Sequence, residues 1–305
     1  MTKYALNWPE QPNTLVRGQP DYPASLLDLS DPPLSVRALR QLPPLGTSAV
    51  AIVGTRHPSE EACEFTFRLA ADLAQLGVTI ISGGALGIDA AAHRGALSAG
   101  GATLVVLASG LKLAYPPRNG PLFDEVLRSD HGALLSEGSD TWAPHAGLFL
   151  RRNRLIAALA GVTVVVQGAS RSGALSTARA AMLLKRRVFA VPGSPWDPRA
   201  EGTLVLLAQG GEICTSARDV LSLRPANAPT AEPTTADVNK KIIDINGLGG
   251  ESGNLYRRLQ ESSAHPDRIA RDLGLSSGRV QELLLSLELG GLIRRKIDGT
   301  YTATS

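Results

Sequence analysis

Cysteine is nearly absent from this chain of 305 residues: only Cys63 and Cys214 occur, far apart and outside any CxxC or His-paired pattern. That excludes a disulfide framework and a thiolate metal site, and reads both as small apolar core residues in a reducing cytoplasm. Aromatic side chains make up only 4%, which argues against extensive stacking of bases on aromatic platforms and favours contacts to backbone phosphates. No apolar run reaches about 18 residues, so no membrane span is expected. Met1 to Leu15 is polar and Pro-containing, unlike a signal peptide. Catalytic constellations are missing as well. There is no Ser/His/Asp spacing, no paired carboxylates and no metal-ligating cluster, so neither turnover nor a cofactor is expected. Neither GxGxxG nor a Walker A sequence occurs.

What is present is arginine. Net charge is only +3 with a pI near 9.0, yet 25 of the 31 cations are Arg. Arg is always charged and presents a planar fork of donors that matches phosphate oxygens, although a GC-rich genome produces the same bias. Three of these guanidinium groups fall within four residues in Phe149-Leu150-Arg151-Arg152-Asn153-Arg154, directly before an apolar run, Leu155 to Ala160. The run must be buried, so the cluster reads as the first turn of a packed helix. Cations are mildly unfavourable there, and an anionic partner would reverse that sign.

Along the chain, residues 1–46 are Pro- and Leu-rich without a sustained period and read as an extended arm, packed on the main domain through Tyr22, Leu26, Leu27 and Leu34. From residue 47 to 224 short apolar runs (49–53, 78–81, 103–107, 133–135, 162–166, 188–191) alternate with helical patterns. Runs that are apolar throughout are buried on both faces. Their alternation with helices predicts a Rossmann-like, doubly wound α/β domain with a mainly parallel sheet. Residues 225–239 read as a Pro/Ala/Thr linker. Residues 240–305 contain three helical segments and a hairpin at 290–301, the pattern of a small winged helix-turn-helix domain.

Parallel sheets of this kind bind ligands beyond the carboxyl ends of their strands, and three loops there carry chemistry. The first, Gly54 to Ser59, places Arg56 in a turn; Gly54 lets the backbone approach a ligand, and Ser59 caps the next helix. The second, Ser82-Gly83-Gly84-Ala85-Leu86-Gly87-Ile88-Asp89, offers backbone N–H groups at a helix start as an anion cradle, with Asp89 as N-cap. Close helix–sheet packing explains its small residues equally. His93 reads as a satisfied core histidine. The third, Ser170 to Thr177, again sets hydroxyls, Arg171 and Gly173 before a helix. Together with the arginine cluster these loops converge on one crevice.

These segments in order (Val53 to Arg56, Ser82 to Asp89 with His93, Tyr115-Pro116, Leu135 to Glu137, Phe149 to Arg154, Ser172 to Thr177, Val191 to Gly193) resemble DNA-processing protein A, the DprA or Smf family. The resemblance covers about residues 20–222, and the C-terminal unit also fits it. It implies a homodimer that binds single-stranded DNA and loads the RecA recombinase during natural transformation. The implied DNA contacts are Gly54, Arg56, the loop Ser82, Gly83, Gly84 and Gly87, the cluster Phe149, Arg151, Arg152, Asn153 and Arg154, and Ser172, Gly173 and Thr177. The chain departs from the family at Leu86, where Arg is usual, at Gln167, where Glu is usual, and at Gly202-Thr203-Leu204. It also begins too late for a complete N-terminal helical domain. Two other readings compete. One is a nucleotide-processing hydrolase of Rossmann-like fold, for which the residues 172–177 lack a catalytic Glu. The other is a duplex-DNA regulator reading through Ser276 to Leu289, where Arg279 and Gln281 are accompanied by Glu282 and Glu288, a poor face for a major groove.

Overall fold

The computed structural model describes residues 8, 10–170, 172–221, 251–289, 292–296 and 299–303. The chain divides into two compact units, residues 1–226 and 227–305.

In the first unit the elements run β1 (Asn13–Val16), β2 (Ser35–Leu39), β3 (Gly46–Val53), α1 (Glu60–Gln75), β4 (Thr79–Ser82), α2 (Ile88–Ser98), β5 (Thr103–Leu107), α3 (Gly120–Arg128), β6 (Gly132–Ser136), α4 (Ala146–Leu159), β7 (Ala160–Val165), α5 (Gly173–Leu183), β8 (Arg187–Ala190), α6 (Glu201–Ala208), β9 (Glu212–Ile213) and α7 (Ala217–Leu221). They form one sheet in the order β1-β2-β6-β5-β4-β3-β7-β8-β9. From β6 to β9 every neighbouring pair is parallel. The continuous apolar character of β3 follows from burial on both sides: Ala49, Ala51 and Val53 join the core under α4 and α5, whereas Val50 and Ile52 join the core under α1 and α2. Helices on both faces of a mostly parallel sheet make the doubly wound, Rossmann-like fold.

The described residues before β3 are not an appendage. β1 and β2 pair antiparallel and extend the sheet, with Arg37 opposite Ser136 and Leu39 opposite Leu134 of β6. The segment between them is fixed by Tyr22, whose hydroxyl donates to the Pro33 carbonyl at 2.7 Å, and by fully buried Leu26. Leu27 and Leu34 are solvent-exposed instead. The two strands escape a sequence reading because each has five residues or fewer and lies among prolines. β9, α6 and α7 also extend the unit beyond the last apolar run, Val188 to Val191.

The order of strands reverses at β3, whose neighbours are β4 on one side and β7 on the other. The chain therefore leaves the carboxyl ends of β3 and β7 in opposite directions, which opens a crevice between their loops.

In the second unit α8 (Glu251–Glu261), α9 (Pro266–Leu273) and α10 (Ser277–Leu289) are followed by the hairpin of β10 (Ile293–Arg295) and β11 (Tyr301–Ala303). Leu255, Leu259, Ile269, Val280, Leu284 and Ile293 form its core. Gly274 ends α9 in the left-handed conformation at φ 66°, where a side chain would be strained. This is a winged helix. The linker expected at 225–239 lies outside the described residues, as do the side chains of Glu282 and Glu288.

Candidate nucleic-acid interface

The two loops of the crevice are stapled together. The Thr55 amide donates to the Gln167 carbonyl at 2.7 Å and the Ser59 amide to Gln167 Oε1 at 3.1 Å. Ser59 in turn caps α1, accepting from the Ala62 amide at 3.2 Å. Gln167, where the family resemblance calls for Glu, thus makes a neutral link. Gly54 serves the fold before any ligand: a Cβ there would lie 2.6 Å from Ile88 Cγ1.

Between the loops is a cavity of about 300 Å³ lined by Gly54, Arg56, Phe149, Arg152, Asn153, Ser172, Gly173 and Thr177, with Asp89 among its walls. Gly83 and Leu86 line a smaller adjoining space together with Arg56, Tyr115 and Phe149. Arg56 is exposed, and its guanidinium carbon stands 5.1 Å over the Phe149 ring centroid. It makes no hydrogen bond or ion pair among the described residues. Phe149 is half-buried, not a core residue, and meets the edge of Tyr115 at 5.9 Å between centroids. Exposed cation–ring pairs of this kind attract by about 0.5–1 kcal/mol, which favours Arg56 at the rim. The Ser172 hydroxyl has no partner among the described residues. Arg171 lies outside the described residues.

The arginine cluster does not form the first turn of a helix. α4 begins at Ala146, so Arg151, Arg152 and Arg154 occupy its second and third turns. Their long unbranched side chains favour helix as much as leucine does, and hydropathy alone places the start too late. The three have different fates. Arg152 is buried and turned inward: one Nη donates at 2.6 Å to both the Gly83 and the Val106 carbonyls, and Nε donates to Asn153 Oδ1 at 3.2 Å. Arg151 and Arg154 both donate to Glu137, at 2.7 and 2.6 Å, and Arg154 also to the Asp31 carbonyl at 2.7 Å. Neither of these two lines the main cavity.

The glycine loop is likewise organised from within. Asp89 is not the N-cap of α2; that position is Gly87 at φ 77°. The Asp89 carboxylate accepts from the Gly83 and Ala85 amides at 3.1 and 3.3 Å, so two donors expected to face an anion are already engaged. Asn119, which composition and spacing give no reason to single out, donates to the Gly84 and Ala85 carbonyls at 2.8 and 3.0 Å. Ser82 donates to the Ile52 carbonyl at 2.6 Å. Ser82, Gly84 and Gly87 therefore shape the loop without lining either space. Only glycine fits at position 83, because a Cβ would overlap the Arg152 guanidinium.

Burial lowers the pKa of Arg152 to about 10, opposed by the nearby Asp89 carboxylate and assisted by Arg56. Burial raises that of Asp89, opposed chiefly by Arg152. A buried cation and anion thus stabilise each other beneath the cavity floor. His93 is fully buried, with Nδ1 2.8 Å from Thr103 Oγ1. The Thr103 hydroxyl donates to the Ile80 carbonyl at 3.0 Å, so it accepts from the histidine, which fixes the Nδ1–H tautomer. Nε2 is without a partner among the described residues. Burial, with Arg152 and Arg94 adding repulsion, brings the His93 pKa down to about 3; it is a neutral core group. In the winged helix, Arg279 pairs with Glu251 at 2.8 Å and Lys296 donates to Ser263 Oγ at 2.7 Å, while Arg294 is exposed.

The chain is similar to known proteins. A family model, DNA recombination-mediator protein A, matches residues 13–225, and a second, the DprA winged helix domain, matches residues 225–299. Protein Smf of Synechocystis sp. is 31% identical over 94% of this chain and 79% of its own length. A putative DNA processing protein DprA of Mycobacterium tuberculosis is 37% identical over 80% of this chain, which spans 61% of that relative. A solved structure of DNA processing protein A from Helicobacter pylori, which describes its single-stranded DNA binding mode, superposes with a TM-score of 0.61 at 30% identity. It covers 71% of this chain and 96% of that one.

Proposed function

The chain belongs to the DNA recombination-mediator protein A family, and from that premise we propose that its switch-point crevice holds the sugar–phosphate backbone of single-stranded DNA without reacting with it. One observation carries this reading: Arg56 stands exposed at the cavity rim, over the Phe149 ring and with no hydrogen-bonding or ionic partner among the described residues. An unspent guanidinium beside a half-exposed ring suits a phosphate and the base next to it. The Ser172 hydroxyl and the backbone of Gly173, the first residue of α5, line the opposite side of the cavity. Binding rather than turnover is supported by the state of the carboxylate in the wall, since Asp89 is buried and engaged with two amides.

Within this reading Arg56, Phe149, Ser172, Gly173 and Thr177 touch the strand, with Gly54 beside them; Arg152 and Asn153 form the floor, and Ser82, Gly83, Gly84 and Gly87 set its shape. Arg154 supplies field rather than contact, offset by the Glu137 carboxylate that it shares with Arg151. The Rossmann-like part, residues 47–224 with the strands before it, holds DNA. The winged helix at 240–305, joined through 225–239, has an accessory or partner-binding role. Family membership supports the wider assignment: a cytoplasmic homodimer that joins two crevices for avidity, protects incoming DNA in natural transformation and loads the RecA recombinase.

Arg56→Ala is expected to weaken binding of a short oligonucleotide about tenfold or more, the worth of a charge-assisted hydrogen bond. The slope of log affinity against log salt should flatten by about 0.7 for each phosphate that is no longer neutralised. Titrations at several salt concentrations measure both, and an unchanged slope refutes this site. Leu86→Arg provides the converse. Leu86 is half-buried beside Arg56 and Phe149, so a cation there is expected to tighten binding and to steepen the slope by about 0.7.

A further inference from the structure

Further hollows follow the main cavity along the N-terminal half of α4, each sharing wall residues with the next, and together they outline a trough. A small hollow walled by Ala108, Arg152, Leu148 and Trp142 lies next to the Phe149 side. Beside it is a wide cleft of about 590 Å³ formed by Trp142, His145, Leu148 and Arg151. A strand held only at the Arg56 rim leaves this end empty. It has the same two ingredients as the Arg56–Phe149 end. Trp142 is 43% exposed, and the Arg151 side chain is 51% exposed.

Trp142 is also held in place. Its carbonyl accepts from the Gly110 amide and its amide donates to the Ser139 carbonyl, both at 2.9 Å. The indole lies against Gly138, where a Cβ would come within 2.7 Å of Cε3. The nearby Asp140 is clamped by Arg37 of β2, Nε to Oδ1 at 3.0 Å and Nη2 to Oδ2 at 2.8 Å, and its carbonyl accepts from the Lys112 amide at 2.9 Å. A ring fixed before binding loses little entropy when a partner stacks on it.

We propose that Trp142 is a second base-stacking platform and that a single strand seated at Arg56 and Phe149 runs along the trough, with Arg151 beside the indole holding the backbone. The proposal rests on the crevice reading. Glu137 limits the charge at this end, because it pairs with both Arg151 and Arg154; stacking, not ion pairing, therefore dominates there.

The test is a length series of oligothymidylates from about 4 to about 16 nucleotides on the full chain and on Trp142→Ala, Trp142→Phe, Gly138→Ala and Arg56→Ala, each first matched to the parent in urea midpoint. Trp142→Ala should bind the shortest ligands as the parent does and lose about 5- to 150-fold on the longest, the range one stacked base supplies. Trp142→Phe should keep most of the gain with length. Gly138→Ala, which displaces the indole without removing it, should fall between them. Arg56→Ala should lose affinity at every length. If Trp142→Ala matches the parent at all lengths, or weakens all lengths alike, the second platform is overturned while a loss in Arg56→Ala leaves the crevice reading standing. If Arg56→Ala binds every length as the parent does, both fail.

Discussion

Arg152→Ala is expected to destabilise the first unit by roughly 3–5 kcal/mol, whereas Arg151→Ala, one residue away, should change stability by less than about 0.5 kcal/mol. The two side chains look equivalent in sequence and are opposite in the fold. Arg152 is buried and satisfies the carbonyls of Gly83 and Val106. Its removal strands two buried acceptors, opens a cavity beneath the glycine loop and takes away the cation that opposes the desolvation of Asp89. Arg151 is half-exposed, and without it Glu137 is still paired with Arg154. Urea denaturation with an unchanged m-value measures both. Adding Asp89→Asn to Arg152→Ala should recover part of the loss. Asn retains an oxygen for the Gly83 and Ala85 amides and needs no countercharge. Equal midpoints for Arg152→Ala and Arg151→Ala would disprove the buried role.

The second large effect is a loss of stability in acid that originates at His93. Folded His93 titrates at about 3 and the free imidazole near 6.5. Between those values the unfolded chain binds a proton that the folded one does not, so stability falls as pH falls through this window. At about 1.4 kcal/mol for each pH unit, the full loss is on the order of 5 kcal/mol. Asp89 works in the other direction. Burial raises its value in the fold, so protonation in acid relieves a cost and stabilises the folded state. The comparison that isolates the histidine is His93→Gln, which retains a polar group towards Thr103 but does not ionise. Its urea midpoint should vary with pH much less steeply than the parent's between about pH 6.5 and 3. Identical slopes would show that the imidazole is protonated within the fold.

Much of the architecture is legible before any coordinate is known. The runs at 49–53, 78–81, 103–107 and 162–166 are apolar apart from the buried Thr79, Thr103 and Thr163 because both sheet faces are covered, and that pattern together with the intervening helices leaves few topologies. Gly274 marks the end of α9 in the same direct way, through its own backbone preference. The early strands are not legible, since β2 holds its place by pairing onto β6 and β1 by pairing onto β2, rather than by a long internal period. The start of α4 is equally hidden: of the five helical residues before the arginines, Ala146, Gly147 and Leu150 are exposed and none is buried, so no apolar run marks the first turn.

The site divides along the same line. The amino-acid order is enough to say which loops meet, since alternating strands and helices send the carboxyl ends of β3 and β7 to one crevice, and enough to gather guanidinium, hydroxyl and glycine there. What each of them does was settled by packing across the fold. Three neighbouring arginines became a buried brace, an offset pair member and a tie to the early chain, and the amides of the glycine loop were given to Asp89 instead of to a ligand. The charge of a side chain belongs to its own atoms, but whether that charge is available depends on desolvation and on acceptors contributed by residues as distant as Gly83 and Val106, which no local pattern encodes.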